Sequence, residues 1–360
     1  MLRNENIICI SSIDWDFLLQ RHQIFMSEFA RQGNKVIYIE NLNPSMRLNW
    51  NILLKIIKRL ARILVKIKNI KRDPNITVIT PLIIPLKNRL ADFINKKILI
   101  KLLAGNIRSK GIKNPVVWTY LATSTSLELI DELKPKTLIY DCVFDALIHP
   151  NSPKDIAASE KKLIRSADII FTDNHYLYNK CKGINPKTYI INPGVDFDLF
   201  AADKAIKNQK FLSGAKKPII CFFGGIDEIR IDLELVRYIA ENKPDWSIVL
   251  FGPVIKTSIK RLKLPNIIFK GTVRHEELAG YLRETDVLIL PYKIIPFSRS
   301  IFPAKIFECF ATGKPIVATP LEELSLFKDI IKIASSNEDF LKGIEDSIVL
   351  NDPKKRDARL

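Results

Sequence analysis

Ser-Arg-Ser-Ile-Phe-Pro-Ala-Lys-Ile-Phe-Glu-Cys-Phe-Ala-Thr-Gly-Lys-Pro-Ile-Val-Ala-Thr, residues Ser298 to Thr319, is the stretch from which the fold of this chain is read. It follows a strand-like run, Asp286 to Leu290, and a turn-rich loop, Pro291 to Phe302. Pro303 suits the first turn of a helix, where a missing N–H costs nothing. Gly313 suits the end of that helix, and Lys314-Pro315 turns the chain into a further strand, Ile316 to Ala318. On such a helix Lys305, Glu308 and Thr312 share one face, while Ile306, Phe307 and Phe310 lie elsewhere and pack. Two readings of Lys305 and Glu308 stand side by side. One is an ordinary surface pair of little energetic value. The other, at the mouth of a parallel sheet, is a cation for phosphate and a carboxylate for a ribose diol.

The same alternation of strand and helix runs through the rest of the chain. Ile7 to Ser12 and Val36 to Glu40 read as strands flanking a helix, Arg21 to Gln32, a βαβ unit that implies parallel pairing. Further strands are expected at Ile76 to Thr80, Val116 to Tyr120, Thr137 to Asp141, Ile169 to Thr172 and Tyr189 to Ile191. A polar segment with five Lys, Asp203 to Lys217, reads as a linker. A second series starts at Pro218, with strands at Ile219 to Phe223, Ser247 to Phe251, Asn266 to Lys270, Val287 to Leu290, Ile316 to Ala318 and Ile330 to Ile333. Helices are expected between them, including Thr257 to Leu262, Pro303 to Thr312 and Leu321 to Phe327. The expectation is an α/β protein of two open parallel-sheet domains, residues 1–200 and 218–360, joined by a linker at 201–217 and facing a cleft.

Composition agrees with that size. The chain has 360 residues, and 47% of them are hydrophobic, enough for two cores. Apolar runs such as Pro81 to Leu86 fall far short of the roughly 20 residues that span a bilayer. The chain enters a strand without a signal-peptide pattern, so a cytoplasmic location is expected. Five dispersed Cys read as buried thiols in a reducing compartment, and the four scattered His form no metal motif. The net charge of +17 is uneven. Residues 1–195 hold 30 Lys and Arg against 16 Asp and Glu; the remainder holds 26 against 23. An anionic partner is expected for the first half.

Residues 47–72 concentrate this charge, with nine basic residues and no acidic one. As a helix they place Lys55, Lys58, Arg59, Arg62 and Lys66 in a narrow arc opposite Leu53, Ile56, Leu60 and Ile63. That pattern fits a helix lying on an anionic membrane, with Trp50 as an interfacial anchor, or a helix packed on its own domain with a solvated basic face. No recognition motif or aromatic platform points to nucleic acid. Arg89 to Arg108 reads as a second basic amphipathic helix.

Ligand-compatible residues recur at the strand ends of the second half. Gly224-Gly225 closes the first strand, where bare backbone N–H groups approach a phosphate, and Arg230 follows. Gly252-Pro253 and Gly271-Thr272 close the next two. Each alone is a turn; with Lys305 and Glu308 they make four successive strand ends of one chemistry. No GxGxxG follows a strand and no GxxxxGK[ST] exists, against a dinucleotide oxidoreductase and a P-loop NTPase. In the first half, Asp141 and Asp145 end a strand with His149 nearby, and a carboxylate there is a candidate general base. Asp14, Trp15 and Arg21 lie on or beside the loop after the first strand and are acceptor-side candidates.

Residues 219–323 resemble the donor-binding domain of a GT-B glycosyltransferase, near the large retaining family four. The resemblance rests on Phe223-Gly-Gly-Ile-Asp-Glu-Ile-Arg-Ile-Asp232, Pro244-Asp-Trp-Ser-Ile-Val-Leu-Phe-Gly-Pro253, Pro265-Asn-Ile-Ile-Phe-Lys-Gly271 and, most specifically, Pro303 to Val317. Asn192-Pro-Gly-Val-Asp-Phe-Asp-Leu-Phe200 is similar to the hinge of that family. Residues 14–40 and 118–145 resemble the first domain of a branch making bacterial surface polysaccharide, of the teichuronic acid, capsule or exopolysaccharide type. The resemblance implies a metal-independent enzyme with a UDP- or GDP-linked sugar donor and a lipid-linked or polysaccharide acceptor at the inner membrane face. It assigns Glu308 to the donor ribose and Lys305 and Arg230 to the diphosphate. It implies no evident protein nucleophile, the departing diphosphate being stabilised by basic groups and helix N-termini. Many members carry a second Glu eight positions before the first; here Ser300 stands there, and Ser298 and Ser300 are expected to offer hydroxyls or N–H groups instead. Members usually continue into a further helix, so the end is expected to be truncated. The rival readings are a sugar-nucleotide 2-epimerase on the same fold and a non-catalytic scaffold of a polysaccharide assembly.

Overall fold

The structure, a computed structural model, describes residues 2–17, 19–42, 73–84, 88–148, 153, 155–201, 212–255, 257–350 and 352–360. The expected helix 47–72 with Trp50, Lys55, Lys58, Arg59, Arg62 and Lys66, the candidate His149, and most of the expected linker lie outside the described residues. The chain divides into two compact units, Met1–Ile191 and Asn192–Leu360.

The first unit is built on a parallel sheet of seven strands: β1 Asn6–Ile10, β2 Lys35–Ile39, β3 Ile76–Ile79, β4 Val116–Thr119, β5 Thr137–Cys142, β6 Ile169–Thr172 and β7 Thr188–Ile190. Their order across the sheet is β3-β2-β1-β4-β5-β6-β7. The helices are α1 Arg21–Arg31, α2, α3 Ser124–Leu133, α4 Ile156–Ser166 and α5 His175–Lys182. Helix α2 runs Arg89–Ile94, widens to a π-helical turn over Asn95–Leu99 and continues as Ile100–Ser109. Strand β1 is apolar without alternation because both faces of the sheet are covered. Ile8 and Ile10 enter one core with Ile37 and Ile39; Ile7 and Cys9 enter the other with Val36 and Tyr38.

The second unit repeats the plan with six strands: β8 Ile219–Phe223, β9 Ser247–Phe251, β10 Ile267–Gly271, β11 Val287–Leu290, β12 Ile316–Ala318 and β13 Lys332–Ile333. The order is β10-β9-β8-β11-β12-β13. Its helices are α6 Phe197–Phe200, α7 Leu233–Asn242, α8 His275–Glu284, α9 Ile306–Ala311, α10 Asn337–Leu350 and α11 Pro353–Arg359. The unit begins earlier than expected because Asn192–Phe200 packs with it. Phe200 is fully buried in its core, and Arg283 Nη2 donates to Leu199 O at 3.2 Å.

Three helices of the second unit differ from their expected extent. Pro303 to Thr312 shortens to α9, because a tight turn (Ala304 N to Phe302 O, Ile306 N to Pro303 O) precedes it. Thr257 to Leu262 and Leu321 to Phe327 are reduced to 3₁₀ turns, Lys260–Leu262 and Glu322–Phe327. All five cysteines are buried free thiols. In each sheet the strand order reverses once, between β1 and β4 and between β8 and β11. Loops leaving the carboxyl ends at such a point are where open α/β sheets take ligands.

Candidate functional site

At the reversal in the second unit β8 runs into Gly224, whose φ of +131° is closed to ordinary side chains. A methyl group on Gly224 would stand 2.2 Å from Lys305 Nζ, and one on Gly252 would stand 2.0 Å from Gly224 O. The two glycines therefore let the ends of β8 and β9 and the Lys305 side chain converge. Lys305 Nζ lies 4.2 Å from the centre of the Phe222 ring and 5.7 Å from those of Phe223 and Tyr292. Among the described residues it has no hydrogen-bond or ion-pair partner. Burial pushes its ammonium down to about 8, against the opposing pull of Cys309 and Glu308 and with help from Arg230. A half-buried cation lying on aromatic faces beside bare backbone, with no anion of its own, is prepared for one.

Arg230 is beside this point but engaged. Asp227 Oδ2 accepts from its Nε at 2.8 Å and its Nη2 at 2.7 Å, and the guanidinium stays close to Gly225. Its exposed edge is free for a further anion, while its direction is fixed by Asp227.

Glu308, on α9, accepts from or shares a proton with His275 Nε2 at 2.8 Å through Oε1. His275 opens α8, just past the end of β10, and meets Phe200 edge-on at 5.0 Å. The bond to Glu308 raises the imidazole above its ordinary value despite burial. Oε2 of Glu308 has no hydrogen-bond partner among the described residues, so one oxygen of the carboxylate is held and the other can accept hydrogen bonds. Gly271, the last residue of β10, and Thr272 just after it are exposed, and the space a side chain would take at Gly271 is open.

The hydroxyls of Ser298 and Ser300, one of the two ways in which these residues were expected to serve a ligand, are engaged locally. Ser300 is fully buried and its hydroxyl donates to Phe297 O at 2.9 Å. Ser298 Oγ donates to Lys293 O and accepts from Ile295 N at 3.0 Å. Both hydroxyls tie the loop 293–300 to itself rather than offering themselves to a ligand.

In the first unit the carboxylates are also tied. Asp141 is fully buried; its Oδ2 accepts from Arg21 Nε at 2.9 Å and Trp118 Nε1 at 3.1 Å. Burial pushes its carboxyl up. Asp145 Oδ1 accepts from Lys180 Nζ at 2.6 Å and Leu147 N at 2.9 Å, and Oδ2 from Tyr176 OH at 2.8 Å. Lys180 also reaches Glu160 at 2.7 Å. Burial alone would raise Asp145; Lys180, Leu147 N–H and Tyr176 more than offset it and hold it below the ordinary value. Both oxygens of Asp145 accept hydrogen bonds, and Asp141 Oδ1, which has no hydrogen-bond partner among the described residues, is buried away from solvent. Arg21, expected on the acceptor side, is spent on Asp141 and on Ile191 O at 2.6 Å. Trp15 is half-buried; its backbone N–H donates to Glu40 Oε1 at 3.0 Å and its ring centre lies 4.8 Å from that of Tyr38; Asp14 is half-buried beside it.

Residues 217–345, which carry Gly224, Lys305 and Glu308, match the family described as Glycosyl transferases group 1. They form a group 1 glycosyltransferase domain. Over 180 residues, 48% of this chain, the sequence is 32% identical to a Bacillus subtilis protein named "Putative teichuronic acid biosynthesis glycosyltransferase TuaH". The chain spans 45% of that relative's length. Among solved structures it is similar to sucrose-phosphate synthase from Thermosynechococcus elongatus, with TM-score 0.69, 15% identity, and 99% of this chain and 92% of that one covered. It is also similar to Anabaena HepE in complex with UDP and glucose, with TM-score 0.67, 12% identity and the same coverage. The two parallel-sheet units have the GT-B fold of these structures.

Within the glycosyltransferase domain the structure brings Gly224, Gly225, Arg230 and Lys305 together. His275 is the residue that sequence reasoning missed. It stood as one of four scattered histidines, and its partner Glu308 is 33 positions away. The only local signal was its place just past a strand end, the position already read as ligand-facing for Gly271.

Proposed function

We propose that this chain transfers a sugar from a nucleoside-diphosphate sugar, UDP- or GDP-linked, to a lipid-linked or polysaccharide acceptor in the building of a cell-surface polysaccharide, with retention at the anomeric carbon. The observation that carries the reading is Lys305, a desolvated ammonium without an anion, set against the Gly224 backbone at the switch point of the sheet. A diphosphate there would regain for the cation the Coulombic partner that burial denies it, and the interaction would strengthen as the leaving group gains charge. Arg230, aimed by Asp227, adds a second cation, so the proposal includes no resident metal. Glu308 Oε2 would take the ribose hydroxyls, with His275 holding the other oxygen. Asp141 and Asp145 are bound into their own networks, which supports a reaction driven by stabilising the departing diphosphate rather than by a carboxylate from β5.

The relative of 32% identity supports the polysaccharide setting, since its name places it in teichuronic acid biosynthesis. A place at the cytoplasmic face of the membrane, with the basic stretch 47–72 against anionic lipid, is part of the proposal. No helix among the described residues is long and apolar enough to cross a membrane. The test is transfer from a panel of radiolabelled UDP- and GDP-sugars into membrane extract by purified protein, with calorimetric titration of UDP and GDP. Transfer from one donor, with the corresponding nucleotide binding, is expected. No transfer and no binding of either nucleotide would sink the proposal. Proton NMR of the product anomer decides retention.

A further inference from the structure

We infer that the outward face of α2 is a docking face for an anionic lipid bilayer. The inference deepens the membrane part of the proposed function and depends on neither donor nor acceptor. Helix α2 buries Ala91, Asn95, Ile100, Ala104 and Ile107 against its own unit. A helix packed in this way ordinarily turns polar residues outward. Here Leu90, Phe93, Ile98 and Leu102 are 68%, 58%, 47% and 66% exposed. Single exposed apolar side chains are ordinary, but four large ones on one helix form a patch that needs a partner.

The face is fixed in that orientation. At the π-helical turn the buried Asn95 side chain accepts from Ile84 N at 2.8 Å and donates to Ile84 O at 2.9 Å. Rolling the helix to hide the apolar residues would break both bonds inside the protein. Phe93, Lys97 and Lys101 follow one another at four-residue spacing, and Ile98 and Leu102 lie on the adjacent row. Apolar and basic side chains therefore alternate across one surface.

Charge selects the occupant. From Arg89 to Lys113 the sequence holds seven Lys and Arg and one Asp. Lys97 and Arg108 pair with Glu128 and Glu132 of α3, at 3.0 Å and 3.3 Å, and Lys96 pairs with Asp92 at 2.9 Å. Arg89 and Lys101, beside Leu90 and Leu102, have no ion-pair partner among the described residues. A second copy of the same face would set like charges against each other. A bilayer with anionic headgroups accepts both kinds of side chain, the aromatic and aliphatic ones at the acyl boundary and the cations at the phosphates.

The experiment is co-sedimentation of the full chain with phosphatidylcholine vesicles, with and without phosphatidylglycerol, at low salt. Two double variants are compared with the wild type: F93S with L102S, and R89E with K101E. All four side chains are solvent-exposed, and circular dichroism checks that the fold is kept. Binding that needs phosphatidylglycerol and falls about tenfold or more in each pair is expected. Wild-type protein that ignores phosphatidylglycerol overturns the inference. So does binding that is unchanged in both pairs, which would assign membrane contact to another segment such as 47–72. A lipid-free dimer abolished by F93S with L102S also overturns it, since the face would then join two copies. None of these outcomes touches sugar transfer, whose own test is separate.

Discussion

The carboxyl ends of the two sheets hold similar residue types in opposite electrostatic states. In the first unit Asp141 is paired with Arg21, and Asp145 and Glu160 with Lys180, although Asp141 Oδ1 and Arg21 Nη2 have no further hydrogen-bond partner among the described residues. In the second unit Lys305 has been desolvated and left alone, and Glu308 has one oxygen engaged and one open. A satisfied buried pair specifies structure; an unsatisfied buried charge stores a binding energy for something that is not part of the chain. Under the proposed function, that difference favours the second unit, rather than the first, as the place where the donor's anion would be recognised. Each variant below presses on one side of that contrast.

The largest effect is expected in the first unit. Lys180→Met would leave Asp145 and Glu160, both almost fully buried, with no cation between them. A loss of about 3–5 kcal/mol is expected, as for other buried pairs broken by removing one partner. Urea unfolding measures it. A stable Lys180→Met protein that has lost only activity would return Asp145 to the list of catalytic candidates. The same network has a pH signature. Asp145 is held below its ordinary value. Its contribution is therefore present above the unfolded-state value, near 4, and is lost as pH falls through the lower folded one.

On the other side of the contrast, Lys305→Met is expected to weaken UDP or GDP binding by about 1.5–3 kcal/mol, the range for a hydrogen bond to a charged group. The unliganded protein should melt no lower than the wild type, because an uncompensated cation has been removed from an aromatic setting. Calorimetric titration and a thermal melt report the two together. Wild-type affinity should also fall as pH rises past about 8, where the free ammonium loses its proton. A variant that binds the nucleotide normally, or one that melts well below the wild type, would make Lys305 a packing residue. Glu308→Ala is expected to cost roughly 1–3 kcal/mol of donor binding. The cost should nearly vanish with a 2′-deoxy nucleotide, which lacks part of the diol.

The strands were legible because burial on both faces leaves them as short runs of Ile, Val, Leu and Phe between turns. Ile219–Phe223, Ser247–Phe251 and Val287–Leu290 have the expected bounds. The placing of Gly224 at a strand end and of Lys305 and Glu308 on or beside the following helix was legible because glycine at a strand end and a charge on the next helix are local signals. What was not legible depends on distant partners. Asp145 reads from sequence as an open carboxylate, and only the fold brings Lys180 to it from 35 positions away. Ser298 and Ser300 read as offering hydroxyls or N–H groups to a ligand, yet hydroxyls in a tight loop find carbonyls three to five residues back before they find a substrate. The exposure of Leu90 and Leu102 escaped the sequence because the π-helical turn at Asn95–Leu99 shifts the register of an otherwise amphipathic pattern.

The smallest effect tests whether His275 works through Glu308. Its Nε2 is bonded to Glu308 Oε1, so the role proposed for it is to fix the rotamer of Glu308 and leave Oε2 unengaged. His275→Phe keeps the ring against Phe200 and removes the bond, and donor binding should fall by about 1 kcal/mol. In a Glu308→Ala background the same change should do nothing, because the residue it positions is gone; such non-additivity is what a double-mutant cycle measures. The stability profile carries a second mark. The folded imidazole titrates above its ordinary value because of Glu308. The stability gained from that pair is therefore full below pH about 6.5 and declines as pH rises through the folded value. Urea midpoints for wild type and His275→Phe should draw together across that interval. Additive losses in the double variant, with parallel pH profiles, would show that His275 packs beside Glu308 without directing it, and would leave the open oxygen of Glu308 as an accident of the side chain's conformation rather than a built feature of the site.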